Sequence, residues 1–301
     1  MGEDGGVLPA CHPLTAGRTA AAAFIRAVQG ERPERTPVWL PQPTRADVDL
    51  LDVALSPERA AERTVEHVRR HGVDAVSLVG DPVVPVLLAG IGVRIEPGRG
   101  PVVEAPIRSA ADVLRLRPID PDVLAPLAEA ARLATAELGE TPLIASGAAP
   151  FALASLLVEG GPSTDHLRAR TLMYSDPHTW AALLNWCADV TGASLRTQVE
   201  AGASAAQLRE AGIGSLSRRD YQRRVAPHSK RALDALRGLD VPKLHVGAGM
   251  GEVLDLVHAL GVDAVGVDWR LPLDEASARL GGGVPLLGNI DPALLGAPWK
   301  V

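Results

Sequence analysis

The chain has 301 residues, of which 47% are hydrophobic and 22% are charged, and its formal net charge is −6. This composition is typical of a globular protein, and the length suffices for one barrel or two smaller domains. No apolar run approaches the roughly 18–20 residues of a membrane span, and the N-terminus has neither the basic start nor the apolar core of a signal peptide. Two cysteines cannot form a disulfide framework or a cysteine-rich zinc site, and an acidic chain gives no reason to expect nucleic acid. We therefore expect a cytoplasmic protein without a membrane or nucleic-acid partner.

Short apolar runs alternate with helical patterns along the chain, which predicts an α/β protein with a parallel sheet. The predicted strands cover residues 36–40, 73–79, 142–145, 205–208, 242–246, 262–267 and 284–288. One helix is predicted to begin at Ser56-Pro57, because Ser is a preferred N-cap and Pro is favoured at the first helical position. Apolar residues recur at intervals of three and four over residues 124–138, 176–201 and 220–236, which predicts three more helices.

Seven strand–helix units fall one short of a closed (β/α)₈ barrel, which has eight. We therefore predict a barrel of this kind whose eighth strand is missing from this chain. No linker composition divides the sequence, so residues 18–301 are expected to form a single incomplete barrel domain. Residues 1–17 are expected to be a flexible N-terminal segment.

Polar residues follow the predicted strands, at the end of a barrel where catalytic groups lie. They are Gln42 and Arg45 after the first strand, Asp81 after the second, Ser146 after the third, Arg209 and Glu210 after the fourth, Asp268 and Arg270 after the sixth, and Asn289 and Asp291 after the seventh. Several carboxylates and guanidinium groups therefore meet at one rim, as an enzyme mouth requires.

Ordered segments over nearly the whole chain resemble the uroporphyrinogen decarboxylase family. The segments are Arg32-Pro33-Glu34-Arg35-Thr36-Pro37-Val38-Trp39, Ala148-Ala149-Pro150-Phe151 through Gly161, Gly202-Ala203-Ser204-Ala205-Ala206-Gln207, Leu244-His245-Val246-Gly247, Val265-Gly266-Val267-Asp268-Trp269-Arg270 and Gly288-Asn289-Ile290-Asp291-Pro292. Any one of them alone would be a weak signal, but their order and spacing together favour this family.

The resemblance implies a distorted TIM barrel, usually a homodimer, that removes acetate carboxyl groups from a tetrapyrrole without a metal or organic cofactor. In such proteins an Asp in the mouth holds the pyrrole N–H groups, and that position is retained here as Asp81. Arginines of the first loop bind substrate carboxylates, and several guanidinium groups are needed to offset desolvation of so highly charged an anion.

The chain departs from the family pattern at several pocket positions. Gln42 stands where the first loop has an Arg, and Arg45 is a displaced replacement for the second. Leu156 replaces a Tyr, and Ala211 replaces a Ser after the fourth strand. A Gly-His-Gly segment that resembles the eighth strand of the family has no counterpart here, which matches the count of seven.

These comparisons yield six candidate site residues. Asp81 is the predicted catalytic group, with a loop cap before Pro82 as the alternative. Arg45, Arg209, Glu210, Gln42 and His245 are the predicted substrate-binding residues. Strand alternation points only one of Arg209 and Glu210 inward, and a rim ion pair between them is an equal alternative.

His245 could also be a zinc ligand, because related corrinoid-dependent methyltransferases bind zinc through a His-x-Cys motif on the strand that corresponds to residues 242–246. This chain has His245-Val246-Gly247 and therefore lacks the thiolate. No metal site is predicted, and a hydrogen-bonded structural histidine is the alternative to substrate binding.

Three functions are compatible with this pattern. The main prediction is a divergent family member that binds or acts on a carboxylated small molecule at the barrel mouth, in specialised metabolism. The first alternative is an active uroporphyrinogen decarboxylase that converts uroporphyrinogen III to coproporphyrinogen III. The second is a non-catalytic partner of a related chain. The expected partners are an anionic small molecule and either a second copy or a related chain, which would also cover the open sheet edge.

Overall fold

Parallel strands alternate with helices along the chain, and a computed structural model describes them over residues 19–40, 50–79 and 83–297. The strands are β1 (Val76–Ser77), β2 (Val93–Glu96), β3 (Gly100–Val103), β4 (Leu143–Ala148), β5 (Ala205–Glu210), β6 (Lys243–Gly247), β7 (Ala264–Gly266) and β8 (Leu286–Leu287). The helices are α1 (Thr19–Val28), α2 (Leu50–Ala54), α3 (Pro57–His71), α4 (Val84–Leu88), α5 (Ala110–Leu114), α6 (Ala125–Leu138), α7 (Pro150–Glu159), α8 (Leu167–Ser175), α9 (Pro177–Glu200), α10 (Arg218–Arg224), α11 (Ala226–Asp234), α12 (Leu254–His258), α13 (Leu273–Arg279) and α14 (Pro292–Leu295).

Six strands form one parallel sheet in the order β1-β4-β5-β6-β7-β8. A single parallel bridge between Trp39 and Ala75 adds the first predicted strand beside β1. Within the described residues the sheet therefore has seven strand positions, and all seven match the predicted runs. The predicted α/β fold, a partial TIM-type barrel, is confirmed.

The two faces of this sheet are buried by different elements. The outer face packs against the long helices, and α9 is the central one, with contacts to α6, α7, α8 and α11. The inner face forms a separate core in which Phe24 and Val28 of α1 contact Ile144, Leu244 and other residues near the amino ends of the strands. Small side chains on several strands leave room for α1, which therefore closes this end of the interior and leaves the carboxyl ends as the mouth.

The sheet separates between β1 and β4 toward the mouth. Only Val76 and Ser77 pair with β4, at Leu143 and Ile144. Beyond this point the side chain of Gln198 on α9 accepts a hydrogen bond from the Ser146 N–H and donates one to the Ser146 C=O, each at 3.1 Å. Thr191 Oγ1 donates to the Ala148 C=O at 2.8 Å, and Thr64 Oγ1 accepts from the Val79 N–H at 2.9 Å. Helix side chains thus replace the missing ladder, so the backbone groups remain paired.

An antiparallel hairpin of β2 and β3 lies outside the barrel sheet. It was not predicted from the sequence, although Pro97-Gly98-Arg99-Gly100 is a turn signal and both glycines have positive φ. The hairpin is attached to the barrel by the Val103 N–H, which donates to the Gly160 C=O at the end of α7. In the described part of the chain, no helix combines the length and the apolar character that crossing a membrane requires.

Candidate active site at the carboxyl ends of the strands

Arg209 is the predicted site residue that the structure places in the barrel mouth. It lies near the end of β5 in register with Ala148 of β4 and Val246 of β6. Its side chain is exposed and lines a small open cleft where β1 and β4 separate, together with Leu78, Val79 and Ser146. A guanidinium in this position can bind a carboxylate through two parallel hydrogen bonds.

A polar layer lies below Arg209 inside the barrel. The Gln207 side chain is buried and donates hydrogen bonds to Ser77 Oγ at 2.8 Å and to Ser146 Oγ at 3.1 Å. Its carbonyl oxygen is buried without a hydrogen-bond partner among the described residues. This layer was not among the predicted site residues, although Gln207 is two residues before Arg209 and strand alternation points both to the same face.

Glu210 and His245 point away from the mouth. Both side chains are fully buried on the outer face of the sheet, with His245 Nε2 and Glu210 Oε2 3.6 Å apart. Arg209 and Glu210 therefore lie on opposite faces, as alternation requires, and they form no rim ion pair with each other. The geometry does not bring Glu210 and His245 to the substrate-binding position expected from the sequence, because the alternation of side chains along β5 and β6 turns both toward the helices.

The surroundings of this pair are also buried. Tyr221 of α10 is fully buried, and burial together with the charge of Glu210 raises the pKa of its hydroxyl. His166, which precedes α8, has its pKa lowered by burial, although the carboxylates of Glu159, Asp165 and Glu210 oppose this effect. The outer face behind β5 and β6 therefore holds a cluster of polar groups, of which His166 is half-buried and Glu210, His245 and Tyr221 are buried.

Asp268 organises the loops on the other side of the mouth. Burial raises the pKa of its carboxyl, but hydrogen bonds from the backbone N–H groups of Gly249 and Arg270 and from the Arg270 guanidinium outweigh this effect and lower it. The Asn289 side-chain amide donates to the Leu271 C=O at 2.7 Å and to the Asp268 C=O at 3.3 Å. The loops after β6, β7 and β8 are thus joined by hydrogen bonds.

Three of the predicted site residues, Gln42, Arg45 and Asp81, lie outside the described residues. Leu156, at the position of the family's Tyr, is half-buried on α7 and packs against the core. Ala211, at the position of the Ser, follows β5 and is exposed. Over residues 19–40, 50–79 and 83–297, no group of three His, Cys, Asp or Glu side chains has the geometry to hold a metal ion.

Comparison with known proteins relates this chain to one family. Residues 19–301 match the family model described as uroporphyrinogen decarboxylase (URO-D). The chain is 53% identical to the uroporphyrinogen decarboxylase of Arthrobacter sp. (strain FB24), over 95% of this chain and 86% of the relative. It is 48% identical to that of Streptomyces coelicolor, over 95% of this chain and 83% of the relative.

Among solved structures, a methyltransferase from Methanosarcina mazei superposes with a TM-score of 0.75 over 90% of this chain and 83% of that one. Their sequence identity is 16%, so this likeness concerns the fold alone. The matched family model and the curated relatives show more than the fold: the chain belongs to the uroporphyrinogen decarboxylase family.

Proposed function

We propose that this protein binds uroporphyrinogen in the barrel mouth and removes acetate carboxyl groups from it. The observation that carries the proposal is the identity of about half of all residues with relatives named uroporphyrinogen decarboxylase, over nine-tenths of the chain. Such identity favours retained decarboxylase activity over the divergent function predicted from the pocket substitutions.

The chemistry requires groups that neutralise and orient the substrate carboxylates. Arg209, at the mouth, supplies a guanidinium for one of them, and Arg45 remains a predicted second one. Each decarboxylation breaks the bond between a side-chain methylene and its carboxylate, releases CO₂ and leaves the electron pair on carbon, which takes up a proton to become a methyl group. Asp81 remains the predicted group that accepts hydrogen bonds from the pyrrole N–H groups.

A smaller carboxylated molecule is the second candidate ligand. Leu156 and Ala211 provide no hydroxyl group at the two positions where the family resemblance expects one. The half-buried Leu156 side chain packs against apolar neighbours. A Leu in place of the expected Tyr therefore makes this part of α7 less polar. A pocket altered in this way would retain Arg209 as the carboxylate anchor but bind a different skeleton.

The first experiment is an anaerobic assay with chemically reduced uroporphyrinogen III, with products separated by chromatography. Coproporphyrinogen III formed in proportion to the amount of protein would support the proposal. Binding of uroporphyrin III without any product at high protein concentration would instead favour a non-catalytic or altered function, and absence of both would refute the tetrapyrrole proposal.

Arg209→Gln tests the role of the guanidinium in the same assay. We expect the KM for uroporphyrinogen to rise about tenfold or more, because a hydrogen bond to a charged group contributes about 1.5–3 kcal/mol. Arg196→Gln is the matched control, since Arg196 lies on the exposed side of α9 and pairs with Glu200. Equal KM values for the two variants would show that Arg209 does not bind substrate.

A further inference from the structure

Two ionisable side chains lie buried directly behind the candidate site. Glu210 of β5 and His245 of β6 project from the outer face of the sheet, and both are completely shielded from solvent. Leu208 pairs with His245 and Glu210 pairs with Gly247, so the two residues are diagonal neighbours on adjacent strands. Neither touches the mouth, and the decarboxylation chemistry proposed above uses neither.

Three buried oxygen and nitrogen atoms of this pair lack hydrogen-bond partners in the described part of the chain. Glu210 Oε2 and both ring nitrogens of His245 have no hydrogen-bond partner among the described residues. A carboxylate removed from water is costly unless a counter-charge or donor lies near it. His245 Nε2 lies 3.6 Å from Glu210 Oε2, so these two polar atoms face each other in the interior. Tyr221 and His166 complete the surroundings, and both are close enough for the Glu210 charge to act on them.

The pair is attached to the backbone that carries Arg209. Glu210 Oε1 accepts a hydrogen bond from the Ala211 N–H at 3.1 Å, and the Arg209 C=O accepts one from the Ala149 N–H at 2.8 Å. A Cβ atom at Gly247 would lie 2.8 Å from the Glu210 Cβ, so the two strands approach closely here. Arg209 and Glu210 are therefore consecutive residues of a strand end that these two hydrogen bonds and the close approach of β6 hold in place.

The geometry points to Glu210 and His245 as a positioning pair that holds the end of β5, so that Arg209 presents its guanidinium to a substrate carboxylate. The inference rests on the proposed function for the identity of that carboxylate. The pair acts through Arg209 and makes no contact with substrate itself.

A double-mutant cycle with uroporphyrin III as the probe tests this role. We expect Glu210→Gln and Arg209→Gln each to raise the Kd about tenfold. The double variant should bind no more weakly than Arg209→Gln alone, because Glu210 acts through Arg209. In the decarboxylase assay, Glu210→Gln should raise KM and leave kcat unchanged.

The inference would be overturned if the two substitutions had additive effects on the binding free energy, or if Glu210→Gln left the Kd unchanged. Glu252→Gln is the matched control, because the Glu252 side chain is 88% exposed in the loop after β6. A merely structural role for Glu210 would lower stability without this dependence on Arg209.

Hydrogen exchange provides a readout that needs no ligand. We expect faster exchange of the Arg209, Glu210 and Ala211 amides in Glu210→Gln, with exchange in α6 unchanged. His245→Gln serves as the second variant if the first does not fold, and it should have the same effect. If uroporphyrin III does not bind the wild-type protein, the proposed function fails, while unaltered exchange at the end of β5 would separately refute the positioning pair.

Discussion

Asp74 places a buried carboxylate at the start of the second predicted strand. It accepts hydrogen bonds from both terminal nitrogens of Arg35 and from the Val38 N–H at 2.7 Å. The Asp74 side chain is 2% exposed and that of Arg35 is 46% exposed. These bonds hold the first predicted strand against β1, because the Trp39–Ala75 bridge is the single strand pairing between them in the described residues.

Removing the exposed partner should cost more than removing the buried one. Arg35→Gln leaves the buried Asp74 carboxyl with the Val38 N–H as its remaining donor, and because Arg35 is itself 46% exposed we expect a loss of about 2–3 kcal/mol. Asp74→Asn leaves a guanidinium that can reach water, so we expect a loss of about 1–2 kcal/mol. Urea denaturation measures both, with Arg69→Gln of the exposed Arg69–Glu137 pair as control. The reverse order would show that the Asp74 side chain does not need the Arg35 guanidinium as its partner.

Asp268 should make the stability of the protein depend on pH in the acidic range. Its folded pKa lies below the ordinary value because donors from Gly249 and Arg270 outweigh burial. A depressed pKa contributes stability above the unfolded value, about pH 4, and the contribution is lost as pH falls through the folded pKa. Asp268→Asn should therefore be less stable than the wild type at about pH 6, and the two stabilities should converge at about pH 3. Thermal denaturation across this range checks the convergence, and Asp274→Asn, at an exposed position of α13, should run parallel to wild type.

Helix α9 is an element whose polar side chains complete the sheet. Its sequence predicts an ordinary apolar-faced helix, and most of its buried residues do pack as core. Gln198, however, pairs with both backbone groups of Ser146 at the position where β1 leaves β4. The cleft beside Arg209 exists because this side chain allows the strands to separate without leaving buried backbone groups unpaired.

Replacing Gln198 by Met tests this arrangement. The substitution keeps the length of the side chain and removes both hydrogen bonds, so we expect a loss of about 2–4 kcal/mol from two unsatisfied backbone groups. Glu200→Met, on the exposed end of the same helix, controls for helix propensity and hydrophobicity. Equal midpoints in urea would mean that the Ser146 backbone finds other partners.

The molecule as a whole depends on α1 to close one end of its interior. Phe24 is 3% exposed and contacts small residues of several strands, including Ala75, Ala205 and Ala264. A barrel with an open edge keeps a defined inner core because this helix fills the space that larger inward side chains would otherwise occupy.

Phe24→Ala should therefore destabilise the whole barrel. We expect a loss of about 3–5 kcal/mol in the free energy of unfolding, the cost of removing a buried aromatic ring from a packed core. Ile25→Ala, at a partly buried position of the same helix, should cost less. If the Phe24 variant unfolds at the wild-type urea concentration, α1 is not part of the cooperative unit.

The sequence of this chain predicts more of its fold than of its candidate site. Apolar runs bounded by Gly or Pro located all seven strand positions, because parallel strands that are buried on both faces appear in the sequence as nearly continuous apolar runs. The β2–β3 hairpin was missed, since its strands are only half-buried and β2 carries the charged residues Arg94 and Glu96 in alternation with its apolar ones. At the site, Arg209 was identified from its place after a strand, whereas Gln207 and Ser77 were missed because they resemble ordinary strand residues in a linear pattern.

The amino-acid sequence alone indicated the seven strands, their parallel direction, the family resemblance and the fact that Arg209 and Glu210 face opposite sides. Only the tertiary structure established which of the two side chains faces the barrel mouth and which faces the helices. Alternation is symmetrical between the two faces of a strand, and the asymmetry comes from long helices covering one face and α1 filling the other. Arg209 thus reaches the mouth, while Glu210 and His245 are buried together behind it.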